Sequence, residues 1–272
     1  MSFSRQRPLK YALIGFGAIG RRVVETLNGR PGRPAILEGI LVRDLKRVAS
    51  TELPAKVMVN IVDLLVARHP DIIVECAGQE AVSKYGPRIL RAGIDLMVVS
   101  AGALTRRSTF EELMTAASDG GGRIVVPSGA IGGLDWLAAA KLAGLTDVVY
   151  RARKPARIWA CSRAENAHLS DLREERMFYR GTVREAAAAY PKNVNVAAAV
   201  ALATLGFDRT RVELIATPEE GDNCHEVEAV GDAGSMRIKI RGKPDPSNPN
   251  TSVITGHSVA QCLLKQSATI VL

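Results

Sequence analysis

The chain is short of the residues that staple or anchor a protein by special means. It has four cysteines in 272 residues, Cys76, Cys161, Cys224 and Cys262, and none of them forms a CxxC pair. Neither a zinc site nor a disulfide framework is indicated. Aromatic residues are scarce, at 4%, and basic residues are dispersed, which argues against a nucleic-acid partner. No uninterrupted apolar run reaches the roughly 18 residues of a membrane span. The Ala-rich stretch from Glu185 to Gly206 comes nearest, and Pro191, Lys192, Asn193 and Asn195 interrupt it. Internal repeats and low-complexity segments are absent. The start, "MSFSRQRPLKYALIG", lacks a secretion signal's long apolar region and cleavage site, so a cytoplasmic protein is the expectation.

What is there suits a soluble globular protein. Hydrophobic residues make up 47% and charged residues 24%, and the length allows two modest domains with real cores. The formal net charge of +8 fits a solvated basic surface, and equally one that gathers anionic small molecules.

The first half alternates short aliphatic runs with helical patterns. Strands are expected at Tyr11 to Gly15, Ile36 to Val42, Ile72 to Glu75, Leu96 to Ser100 and Ile124 to Val126. Helices are expected at Ile19 to Leu27, Ile61 to Arg68, Ala81 to Ala92 and Phe110 to Ala117. Strands of about four to six aliphatic residues separated by helices of about ten imply a parallel sheet covered on both faces.

The glycines of "PSGAIGG" then punctuate the chain near Pro127. Beyond them, helix is expected at Asp135 to Leu142 and strand at Asp147 to Arg153, then two helical pieces broken at Tyr190–Pro191. Strands follow at Val212 to Ala216, His225 to Val230 and Ser235 to Arg241, the last two joined by the turn "GDAG". A helix from His257 to Leu263 ends the pattern. The fold class is therefore α/β: a Rossmann-type dinucleotide-binding domain over residues 1–126, then an α+β domain with a mixed or antiparallel sheet over 127–252. Residues 253–272 are expected to pack back on the first domain.

Gly15-Phe16-Gly17-Ala18-Ile19-Gly20 fits GxGxxG. The glycines permit a tight turn, close approach of a pyrophosphate and close helix–strand packing. The N–H groups at the helix start then face the phosphates. The motif follows a strand and opens a helix, which is the context it requires. The second strand leads into Arg43 and Asp44. The carboxylate suits the ribose hydroxyls of NAD and the guanidinium the 2′-phosphate of NADP, so NAD is favoured and NADP tolerated. Cys76, Ala77 and Gly78 close the next strand, where the loop overhangs a bound dinucleotide.

Proton handling points to the histidines. His69 lies at a helix end, where a cation suits the dipole. His257 reads as a surface or capping residue, and His168 sits in a polar, solvated stretch. His225, in "NCHEVEAVG", alternates in phase with Val227 and Ala229, with Glu226 and Glu228 on the other face. That pattern fits a satisfied core histidine as well as one reaching a cleft. Asn193 and Asn195 precede a helix, where Asn commonly caps. Asn248, Thr251 and Ser252 suit turn chemistry or neutral hydrogen bonding to an amide or carboxylate.

Seven segments in order resemble the L-aspartate dehydrogenase family: "GFGAIGRRVVETL", "DIIVECAGQEAV", "VVSAGAL", "VVPSGAIGGLDWLAAA", "YPKNVNVAAAVALA", "NCHEVEAVGDAGSM" and "NPNTS". The resemblance implies NAD(P)-dependent oxidation of L-aspartate to iminoaspartate, which feeds NAD biosynthesis or hydrolyses to oxaloacetate and ammonia. It also implies a homodimer built through the second domain. By position it places the active-site histidine at His225 and further cofactor contacts at Ala130 and Asn195. Asn248, Thr251 and Ser252 become substrate candidates, while Asn250 stands where the family pattern has Lys. No metal is implied. The alternatives are reductases resembling homoserine dehydrogenase or dihydrodipicolinate reductase, and a non-catalytic NAD-sensing protein.

Overall fold

A computed structural model describes residues 7–31, 34–45, 54–160, 169, 172–218 and 223–271. The chain divides into two compact units. The first holds the described residues up to Ala103, those from Ser108 to Pro127 and those from Gly256 onward; the second holds Leu104–Arg107 and Ser128–Thr255.

In the first unit, β1 (Leu9–Ile14), β2 (Ala35–Leu41), β3 (Met58–Val59), β4 (Ile72–Glu75), β5 (Asp95–Val98) and β6 (Ile124–Val125) form one sheet. Its order is β3-β2-β1-β4-β5-β6, with every pair parallel. β4 is buried along its whole length, as a parallel strand covered on both faces must be. The helices are α1 (Ala18–Asn28), α2 (Val62–Val66), α3 (Gln79–Arg91) and α4 (Arg107–Gly120). Val23, Val24 and Leu27 of α1 recur at helical spacing and pack on Tyr11 and Leu13 of β1. Val259, Ala260 and Leu263 of the last helix join the same core. Strand order reverses between β1 and β4, the switch point where open α/β sheets bind ligands at their carboxyl ends.

In the second unit, β7 (Leu145–Pro155), β8 (Arg176–Thr182), β9 (Arg211–Thr217), β10 (Asn223–Gly231) and β11 (Gly234–Gly242) form a five-stranded sheet. Its order is β11-β10-β7-β9-β8. The β7–β9 pair is parallel and the other pairs are antiparallel, so the sheet is mixed. β10 and β11 meet in a hairpin closed by Gly231 against Gly234. α5 (Leu134–Leu142), α6 (Ala156–Ala160), α7 (Val183–Ala189) and α8 (Asn195–Ala203) accompany it. The break between α7 and α8 falls at Tyr190–Pro191, with a 3₁₀ turn over Pro191–Asn193. Thr182 caps α7 in a reciprocal box with Glu185.

Several local expectations are corrected. Asn195 is the first residue of α8, and its N-cap is Val194, without a side-chain cap. The segment around Asn248, Thr251 and Ser252 is a small hairpin of β12 (Pro244–Asp245) and β13 (Asn248–Ser252) rather than a bare turn. α9 (Val253–Lys265) begins before His257, whose Nδ1 lies 3.1 Å from Thr26 Oγ1; it is a packed residue of the helix, not a cap. β8 was not expected, because "RMFYRGT" shows no clean alternation. Cys161 and His168 lie outside the described residues.

Candidate active site

The glycine turn is built from three glycines with three different reasons. Gly15 has φ +91°, a conformation L side chains rarely adopt, and a Cβ there would lie 2.9 Å from Ala77 Cβ. A Cβ on Gly20 would come within 2.7 Å of the Gly15 carbonyl oxygen, so this glycine lets α1 seat against the turn. Gly17 is the N-cap of α1, and a Cβ there would meet nothing within 4 Å. The protein's own packing does not require that glycine. Open space at an uncapped helix start with no acidic residue in its first turn fits a phosphate that must approach backbone N–H groups.

That space opens into a cleft of about 540 Å³. Gly15, Phe16 and Gly17 line one side, Arg43 and Asp44 follow β2, and Cys76 and Ala77 follow β4. Arg43 and Asp44 are both exposed. Ala18, Ile19 and Gly20 lie in α1 behind the turn, and Gly78 is the N-cap of α3 at φ +117°. The size, the phosphate cradle and a carboxylate beside the second strand fit a dinucleotide.

Two side chains brace the loops beside the cleft. Cys76 Sγ donates to the carbonyls of Ile14 and Gly15 at 3.3 and 3.4 Å, and burial pushes its thiol up, so it is a brace and not a nucleophile. Glu75 is fully buried at the end of β4. Its Oε1 accepts from the N–H groups of Ala77 and Gly78 at 2.8 and 2.7 Å and from Ser100 Oγ at 3.0 Å, and its Oε2 accepts from Ser100 N at 3.0 Å. Burial raises its pKa against the pull of these four donors. The carboxyl ties the loops after β4 and β5 together. Sequence reasoning passes over this role, because an acid at a strand's end is usually solvated.

In the second unit, His225 is 5% exposed on β10. Register pairs it with Ala152 of β7 and Ile240 of β11, so its face of the sheet carries Tyr150, Val227 and Ile238 as well. Tyr150 Oη and His225 Nδ1 are 2.7 Å apart, with the two rings stacked at 19° and 6.0 Å. Burial, reinforced by the charge of Lys154, pushes the imidazole down to about 3, while burial pushes the Tyr150 phenol up. The ring is therefore neutral and the phenol protonated. The imidazole's other nitrogen, Nε2, has no hydrogen-bond partner among the described residues.

The opposite face carries Glu226 and Glu228, as the alternation gives. Glu226 does not point to water but is fully buried. It accepts from Arg151 at 3.2 Å, Arg153 at 2.8 Å and Arg237 at 3.0 Å. Glu213 accepts from Arg151 at 2.6 Å and Arg180 at 2.9 Å.

The remaining predicted residues lie in the second unit without converging on one visible cluster. Ala130 is buried in the turn before α5. Asn248 Nδ2 donates to Thr251 Oγ1 at 3.1 Å, and Asn248 Oδ1 accepts from Asn250 N at 3.3 Å, so these groups already serve the hairpin. Ser252 is buried, and a Cβ on Gly242 would meet its Oγ at 3.0 Å. Among the described residues, no group of three or more His, Cys, Asp or Glu is placed to hold a metal, and no helix is long and apolar enough to cross a membrane.

Comparison with known proteins matches both units. Residues 135–266 match the family profile described as aspartate dehydrogenase, C-terminal, and residues 15–127 the profile described as homoserine dehydrogenase, NAD binding domain. The L-aspartate dehydrogenase of Cupriavidus necator is 44% identical over 262 residues, covering 94% of this chain and 96% of that protein. That of Pseudomonas aeruginosa is 42% identical over 261 residues, with the same coverage. The crystal structure of aspartate dehydrogenase from Thermotoga maritima superposes with a TM-score of 0.76 at 27% identity, covering 97% of this chain and 99% of that one. An archaeal homoserine dehydrogenase, at 14% identity and a TM-score of 0.56, shares the fold.

Proposed function

The chain belongs to the L-aspartate dehydrogenase family, and from that premise we propose that it oxidises L-aspartate to iminoaspartate with NAD, tolerating NADP. The imine feeds NAD biosynthesis or hydrolyses to oxaloacetate and ammonia. The observation that carries this reading is the buried neutral imidazole of His225, held at Nδ1 by Tyr150 with Nε2 uncommitted among the described residues.

The residues present fit the cofactor. Gly15, Gly17 and the first N–H groups of α1 would hold the pyrophosphate, and Asp44 a ribose hydroxyl, with Arg43 able to meet a 2′-phosphate. When bound, the nicotinamide supplies the hydride acceptor for the substrate's α-carbon. Everything else falls to side chains. The substrate's amine must be free of its extra proton before oxidation, and a neutral imidazole nitrogen is a suitable acceptor. When Nδ1–H donates to Tyr150 Oη, Nε2 carries the lone pair that abstraction needs; when the phenol donates instead, Nε2–H is a donor to the substrate. The 2.7 Å contact allows both tautomers, so the ring can take a proton from the amine, release it to solvent and then take one from the water that adds to the imine carbon, the imine nitrogen being protonated in that addition.

A double dissociation tests the assignment of roles. Gly17→Val fills space that no protein atom occupies, so stability should hold while dinucleotide affinity falls. Losing one charge-assisted N–H contact costs about 1.5–3 kcal/mol, roughly 10- to 150-fold. His225→Ala, with His225→Asn as the milder change, should leave dinucleotide affinity intact and cut turnover by roughly 10²- to 10⁴-fold. Intrinsic fluorescence quenching reads the first property and steady-state kinetics the second. Full turnover in a folded His225→Ala protein removes the histidine from the chemistry.

A further inference from the structure

L-Aspartate carries two carboxylates, and a buried site that prefers it needs positive charge facing them. The second unit is rich in arginine, yet those on the sheet's charged face are committed. Arg151, Arg153, Arg180 and Arg237 all pair with Glu213, Glu226 or Glu228. Arg184 pairs with Asp208 and Arg211 with Asp147.

Lys154 is placed differently. It ends the alternation Tyr150, Ala152, Lys154 along β7, which sets it on the same sheet face as His225. It is 5% exposed, and it is the one buried Lys or Arg among the described residues. Its Nζ donates to Asn193 Oδ1 at 3.0 Å and lies 5.4 Å from the centre of the Trp159 ring. No carboxylate pairs with it among the described residues. An ammonium has three protons to donate, and one amide oxygen and one aromatic face leave it under-satisfied. Asn193 is itself half-buried, on the 3₁₀ turn before α8, so the cation sits one residue in from the surface.

Such a group is expensive for the fold. Burial of a lone ammonium costs several kcal/mol before compensation, and it pulls the Lys154 pKa down to about 8. A methionine of similar length would fill the same space over Trp159 without that cost. Stability gives no reason for a cation here, whereas an incoming carboxylate does.

We propose that Lys154 receives a carboxylate of the substrate, making it the side chain that selects a dicarboxylic amino acid. This rests on the aspartate-oxidising reading above and deepens it. Pairing would also act on the histidine. The Lys154 charge is one of the two causes that hold His225 neutral, so a carboxylate that neutralises it makes the imidazole a better proton acceptor when substrate is present.

The test separates binding from folding and from turnover. Succinate, a dicarboxylate with no amine to oxidise, is titrated calorimetrically into NAD-loaded wild type, Lys154→Met and Lys154→Arg. Melting temperature and the KM for L-aspartate are measured on the same proteins. Lys154→Met should weaken succinate binding and raise KM by roughly 10- to 150-fold with an unchanged or higher melting temperature. Lys154→Arg should recover part of the affinity. A Lys154→Met protein that is folded and binds succinate as wild type does overturns the proposal, and so does one that fails only through a lowered melting temperature rescued by Arg without any change in KM. If wild type itself does not oxidise L-aspartate, the underlying functional reading fails instead, and the two failures are told apart.

Discussion

The two faces of the five-stranded sheet treat charge in opposite ways. On one, Arg151, Arg153, Arg180 and Arg237 interlock with Glu213, Glu226 and Glu228, so each buried or half-buried charge is answered by another. On the other, one lysine and one histidine sit among Val148, Ala152, Val227 and Ala229 with neutral partners. The same strands build both faces, since alternate residues of β7 and β10 go to each. Charge that is cancelled within the chain contributes to structure. Charge that is buried and left uncancelled lowers stability and gains its use only when a ligand arrives.

Removing an acid from the cancelled face gives the largest stability change. Glu226→Ala removes the buried carboxylate shared by Arg151, Arg153 and Arg237 and should cost about 3 kcal/mol, read as a lower denaturant midpoint, with KM for L-aspartate unmoved. An unchanged midpoint would erase the distinction between the faces. The faces should also respond to pH in separate windows, with stability rising with pH in each. Burial tends to raise the Glu226 and Glu213 pKa values, but the neighbouring guanidinium groups outweigh it and hold both below the usual 4.5. Their stabilisation is complete above about pH 4.5 and is lost as pH falls through the lower folded values. Lys154 is depressed from 10.5 to about 8. The unfolded chain then binds the extra proton between those values, so stability rises from about pH 8 to 10.5. Lys154→Met should remove that alkaline rise and leave the acid limb intact, as urea titrations across pH would show.

The smallest effect is expected at Tyr150. Tyr150→Phe removes the partner of His225 Nδ1 while keeping the stacked ring. One neutral hydrogen bond contributes about 0.5–1.5 kcal/mol, so turnover should drop roughly 2- to 10-fold, well short of the loss at His225. An equal loss would mean that the phenol, not the imidazole, handles the proton.

Much of the architecture was legible because it is written in local periodicity. β4 begins and ends where its four aliphatic and acidic residues do, and Pro191 breaks the Ala-rich stretch as its missing N–H requires. The glycine turn was readable from its strand and helix context. β8 was not, because its mixed residues become a strand only by pairing with β9. The burial of Glu226 was hidden for a related reason: alternation gives the face of a residue, but not what covers that face. Lys154 did leave a trace, a lysine in phase with the apolar positions of β7. Phase alone could not show that its charge goes unanswered, since that depends on strands and turns distant in sequence.

The measurement that bears most directly on the account is absorbance at the reduced-nicotinamide band. Purified protein is mixed with NAD or NADP and, in turn, L-aspartate, L-asparagine, L-alanine, L-homoserine and L-malate. The account predicts growth with L-aspartate, faster with NAD than NADP, and little with the others. Silence with L-aspartate under both coenzymes, or growth with L-homoserine in its place, would contradict it.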